Sequence, residues 1–258
     1  MGGIRTPARG QRVRRTPGAL RTSGMLLAGP FGADGRFSSR PRSGCMRTGK
    51  HAEALELFEG ALKALEYVVP APRADVAAGG DTAYRAAVAE GRLLQGASAL
   101  NGALVCLKLA EWDRAVELAT LALELEQARQ HEGAAADAVR TGKALFRRAS
   151  AQAQLGKLTE ALEDVRRART GALSGDQGVL DLFASVACAR ATQLLHEKKV
   201  AAAEGMFAEA GAALDQLSAD RAGAAAVAAR APVQAQVAYG MGECLAFRGA
   251  AKMAGCIS

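Results

Sequence analysis

Residues 143–168 read KALFRRASAQAQLGKLTEALEDVRRA, and 42 residues before them the stretch 101–125 reads NGALVCLKLAEWDRAVELATLALEL. Both predict one object: a helix, a short turn, and a second helix with small residues at fixed spacing on its inner face. Ala161-x3-Val165-x2-Ala168 in the later copy matches Ala115-x3-Ala119-x2-Ala122 in the earlier one. A third copy, Ala54-x3-Phe58-x2-Ala61, lies in GKHAEALELFEGALKALEYV, residues 49–68. Small residues at these places let antiparallel helices approach closely, while larger ones fill the gap to the next pair. One such pair cannot bury its apolar face alone, so pairs are expected to stack into an array that works as a binding scaffold.

Composition agrees with an all-α chain. Aromatics make up 4% of the 258 residues, and alanine is abundant, which suits closely packed helices better than a β-sheet. No uncharged apolar run approaches the ~20 residues that span a bilayer. The five cysteines (45, 106, 188, 244 and 256) include no C-x-x-C pair, so reduced thiols in a cytosol-like compartment are expected, with Cys106 as a small apolar core residue. A glycine-rich phosphate loop, H-E-x-x-H and G-x-S-x-G are all absent. No catalytic residue, metal ligand or cofactor is assigned. His51, His131 and His196 are scattered, and Trp112 is read as packing a turn.

The net charge of +7 is unevenly distributed. Residues 1–50 hold ten arginines and Lys50 against Asp34 alone, a balance of +10; the other 208 residues hold 22 basic and 25 acidic side chains, a balance of −3. A nucleic-acid-binding face is therefore not indicated for the body. The basic leader, about 1–36, reads as a disordered segment, as an organelle transit segment, or as residues upstream of the natural start. Cytoplasmic location follows from the first reading and an organelle from the second.

The hairpins resemble tetratricopeptide repeats, helix-turn-helix units of about 34 residues. The matched alanines are 61 and 46 residues apart, so about 27 and 12 residues are inserted between copies. The first insertion, 70–92, begins as a loop; the second, 127–140, reads as lengthening the flanking helices. The spacing, the run ALEYV and the stretch HEKKVAAAEGMFAEA (196–210) are similar to FKBP-type immunophilin co-chaperones, over residues 48–212. The resemblance implies a right-handed helical-hairpin solenoid with a long C-terminal helix. Its expected division is three helix pairs over 37–173, the first degenerate, a helical extension over 174–216, and an Ala/Gly-rich tail of little pattern over 217–258.

In chaperone-binding members of that family, the first helices of successive repeats hold the acidic C-terminal tail (ending EEVD) of a heat-shock protein 90 or 70 chaperone. The resemblance places Asn101, Lys143 and Arg147 at three of the five binding positions. Lysine and arginine supply charge-assisted donors to carboxylates, and asparagine supplies a neutral one. Lys143 and Arg147 are one helical turn apart and point the same way. In the first repeat the matching positions hold Ser39 and Ser43, of which Ser43 keeps a hydroxyl donor; Pro41 between them disfavours a helix there. Arg148 is read as structural or solvent-exposed, and Lys198 and Lys199 as a solvated helix face. The family's use of its terminal helix for calmodulin is not carried over, because alanines flank those lysines. Two functional classes remain: a co-chaperone adaptor without catalysis, and the repeat-containing part of an FKBP-type peptidyl-prolyl isomerase lacking its catalytic domain.

Overall fold

In the computed structural model, the described residues are 49–68, 82–131, 135, 137–219 and 224–255; the leader, Ser39, Pro41 and Ser43 lie outside them. Among the described residues the protein is all-helical, with eight α-helices and no strand. They are α1 (His51–Val68), α2 (Thr82–Leu109), α3 (Trp112–His131), α4 (Ala138–Gln154), α5 (Leu158–Thr170), α6 (Gln177–His196), α7 (Val200–Ala219) and α8 (Ala224–Gly255). Consecutive helices pack together along the whole series.

The turns that precede the small-residue helices share one geometry, and it explains their sequence spacing. Gly49, Ala110, Gly156 and Lys198 all have left-handed backbone, with φ of 75°, 60°, 75° and 60°. Each lies five residues before the first alanine of an A-x3-Φ-x2-A pattern. After three of them the next N–H reaches back five residues: Glu111 to the Cys106 carbonyl (2.9 Å), Lys157 to Gln152 (2.9 Å) and Lys199 to Leu194 (2.8 Å). This closure uses carbonyls left over at a helix C-terminus and reverses the chain within two or three residues.

The fourth of these turns corrects the reading of residues 174–216. One long terminal helix was expected there, with Lys198 and Lys199 on its surface; the chain instead forms two helices, α6 and α7, with both lysines in the turn between them. The reason is a fourth copy of the small-residue pattern, Ala203-x3-Phe207-x2-Ala210, 42 residues after the third. All three of its residues are buried, as are their counterparts in the other copies. Burying Phe207 contributes roughly 2–3 kcal/mol, and that burial requires α7 to fold back on α6.

Residues 224–255 of the pattern-poor tail are also helical. They form the 32-residue helix α8, docked on both helices of the fourth hairpin. Arg230, buried, donates to Asp181 on α6 (2.7 and 3.3 Å) and to the Leu217 carbonyl on α7 (3.4 Å). Gly240 sits against Phe207 so closely that an added Cβ would lie 2.1 Å from the ring. Alanine elsewhere in α8 hides this register from a pattern search, because it marks neither face.

The even-numbered helices also touch in turn, α2 on α4, α4 on α6 and α6 on α8. Odd-numbered neighbours meet only through isolated links such as Arg166 to Glu209 (2.7 Å, α5 to α7). Two rows result, and they differ in charge. The sequence of the even helices holds eleven basic and three acidic residues, a balance of +8; that of the odd helices holds six basic and fourteen acidic, a balance of −8. The near-neutral body therefore separates its charge between two sides. By length and composition α6 is apolar enough to cross a membrane, and it is also the most deeply packed helix, with Phe183 fully enclosed. Above the Phe183 ring lies the Arg169 guanidinium, 4.3 Å from its centre.

Candidate functional site

The candidate site lies on the even row, where α4 faces α2. A buried carboxylate fixes the start of α4. Glu126, at the end of α3, accepts from Arg129 (2.8 and 3.1 Å) and from the Asp137 main-chain N–H (2.9 Å), with Arg140 3.6 Å away. Asp137 in turn caps α4 by accepting from the Arg140 N–H (2.9 Å). Sequence reasoning missed this network. Its only sequence signal is an acid three residues before an arginine, a spacing common on solvated helix faces.

Halfway along α4 the adjacent arginines diverge. Arg148 points to α5 and forms a two-pronged pair with Asp164 (2.6 and 2.7 Å), and one of its nitrogens lies 3.4 Å from Thr120 on α3. This hydrogen bond holds the Arg148 pKa above its ordinary value. Arg148 is thus a strut within the third hairpin. Arg147 points the other way, between the even helices, and donates to the Leu100 carbonyl on α2. That carbonyl belongs to the residue before Asn101 in the chain.

Arg147 has no acidic partner among the described residues, and burial lowers its pKa to about 10. A guanidinium carries five N–H donors, and the bond to Leu100 uses one nitrogen. The others remain for an incoming acceptor. Lys143, one turn earlier, is exposed and unpaired among the described residues, while Asn101 is half-buried with its amide free of any protein partner there. The arrangement offers one desolvated cation, one solvated cation and one neutral donor, and no base, nucleophile or acid among them. Such a set can hold a carboxylate.

The other residues singled out in the sequence have plainer roles. Trp112, at the start of α3, packs against the core formed mainly by α1, α2 and α3. Cys106, Cys188 and Cys244 are free and buried, and burial raises the Cys106 and Cys188 thiols to about 11. No group of metal-binding side chains occurs among the described residues. Compared with known proteins, the chain matches no family model, and no curated protein or solved structure matches it significantly.

Proposed function

We propose that the protein is a tetratricopeptide-type helical solenoid acting as a co-chaperone adaptor, whose even-numbered helices bind the acidic C-terminal tail of a heat-shock protein 90 or 70 chaperone. In this reading Arg147 and Lys143 hold carboxylates, Asn101 donates to the terminal main chain, and the role is binding without catalysis. The observation that carries it is Arg147. A guanidinium removed from water without a counter-charge costs free energy that an anionic ligand recovers. The +8 balance of the even row favours the same class of ligand and speeds its capture.

Charge-assisted contacts of this kind contribute about 1–3 kcal/mol each, so three of them support micromolar affinity for a short peptide. The test is calorimetric titration of the full chain with a peptide ending in EEVD, as the free acid and as the amide. The free acid is expected to bind, with affinity falling about tenfold in Arg147→Ala and several-fold in Lys143→Ala, and falling in both proteins with added salt. Equal binding of acid and amide, or no binding at high protein concentration, refutes the reading.

A further inference from the structure

Beyond Asn101, the open side of α2 carries two residues that neither the fold nor the proposed peptide site uses. Each residue turns a helix by about 100°, so Asn101, Leu104 and Lys108 fall within ~60° of one another on one side of α2. The opposite side, with Ala99, Gly102, Ala103 and Cys106, is buried. Leu104 is half-buried yet belongs to neither core cluster, and Lys108 is exposed with no partner among the described residues. At the matching places in the next hairpin α4 has Ser150 and Gln154, so the apolar and basic pair is particular to α2.

We propose, on the peptide-binding reading above, that this strip of α2 sets the register and direction of the ligand. Lys108 recognises an acidic side chain three residues before the ligand's last one, and Leu104 packs the apolar side chain one residue before it. Along the α2 axis Leu104 lies ~4.5 Å and Lys108 ~10.5 Å beyond Asn101. An extended peptide advances ~3.3 Å per residue and turns alternate side chains the same way. With its terminal main chain at Asn101, it therefore presents the side chains one and three residues upstream at ~3.3 and ~10 Å. In a tail ending EEVD these are the valine and the first glutamate, an apolar group for Leu104 and a carboxylate for Lys108. Charge sets the direction. Glu90, about three turns before Asn101 on the same side of α2, is exposed and repels an acidic chain, while Lys108 attracts it.

The test is calorimetric titration of the full chain, wild type and Lys108→Ala, with free-acid peptides ending in EEVD, QEVD and EQVD. Lys108 is exposed, so its substitution should leave the fold and the melting temperature unchanged. In the wild type QEVD should bind about three- to fivefold more weakly than EEVD, and in Lys108→Ala the two should bind equally. EQVD, whose altered side chain faces away from α2, should lose the same factor in both proteins. Lys108→Glu should bind QEVD better than EEVD. A preference for EEVD over QEVD that Lys108→Ala leaves unchanged overturns the proposal while the peptide-binding reading stands. So does a Lys108 dependence that falls on EQVD instead. A wild type that binds none of the three peptides overturns both.

Discussion

The third and fourth hairpins, α4–α5 and α6–α7, share a backbone plan and differ in what they display. Both turn at a left-handed residue five positions before a buried alanine, and both close that turn with a bond back over five residues. Yet α4 holds four basic residues and no acid, whereas α6 holds one of each. At the places of Lys143 and Arg147, 42 residues on, the fourth hairpin has Ser185 and Ala189. The fold evidently does not need the basic pair. Small residues and the turn build the scaffold, and the basic pair is an addition to it.

The comparison breaks first on packing. Gly240 faces the buried Phe207 ring, which has nowhere to move, while Gly142 in the third hairpin faces the half-buried side chain of Leu173 at 2.9 Å, which has room to yield. Gly240→Ala should therefore destabilise by about 3 kcal/mol and lower the thermal midpoint by roughly 6–12 °C, against about 1 kcal/mol for Gly142→Ala. Chemical denaturation of both variants checks this. Equal losses would mean that α8 does not close on the fourth hairpin as described.

The next contrast lies in the arginine struts. Asp164→Ala leaves Arg148, 20% exposed and 3.4 Å from Thr120, whereas Asp181→Ala leaves Arg230, 8% exposed beside the Leu217 carbonyl. The charge left behind sets the loss, because an uncompensated buried charge is what costs. Asp181→Ala is expected to cost about 3 kcal/mol and Asp164→Ala about 1–2 kcal/mol, measured by urea unfolding. Added salt should narrow the smaller loss and leave the larger one nearly unchanged.

The two hairpins also separate what a sequence discloses from what it conceals. The third was legible because its alanines repeat in register with those of the second, and because Lys143 and Arg147 stand out among alanines. The fourth carries the same three-residue pattern, yet its EKK run reads as a surface helix, and a lysine is a poor marker of a left-handed turn. Ala110 is equally silent. Only the resemblance marks Asn101 and Arg147, and that Arg147 bonds to the Leu100 carbonyl is a property of two helices packed 47 residues apart. Arg148 and Arg147 look alike in the sequence; a one-residue step of about 100° around the helix sends one to Asp164 and the other to α2.

A difference of proton affinity sharpens the functional side. Arg147 holds its proton up to about pH 10, well below an ordinary arginine, because burial disfavours the charged form. Deprotonated, it no longer attracts a carboxylate. Peptide affinity should be level from about pH 6 to about pH 9 and fall as the pH rises through the Arg147 pKa. Calorimetry with Lys143→Arg as background takes the lysine out of the titration, and an N-acetylated peptide does the same for its amine. Affinity that stays level above that pH would show that Arg147 is not the ligand's partner.

The smallest effects lie in the turns, where the four copies divide two and two. Gly49 and Gly156 adopt left-handed backbone at no steric cost, whereas Ala110 and Lys198 do so against the clash of Cβ with the following carbonyl, which costs about 1–2 kcal/mol. Glycine recovers that strain but loses more freedom on folding, by about 0.5–1 kcal/mol. The balance leaves Lys198→Gly and Ala110→Gly each stabilising by about 0.5 kcal/mol, and Gly156→Ala destabilising by about 1 kcal/mol. Because the two gains lie in separate turns they should add, and the double variant should unfold at a measurably higher urea midpoint with unchanged slope. A loss of stability in Lys198→Gly would mean that the α6–α7 turn is not left-handed there, and the equivalence of the third and fourth hairpins would fail at its root.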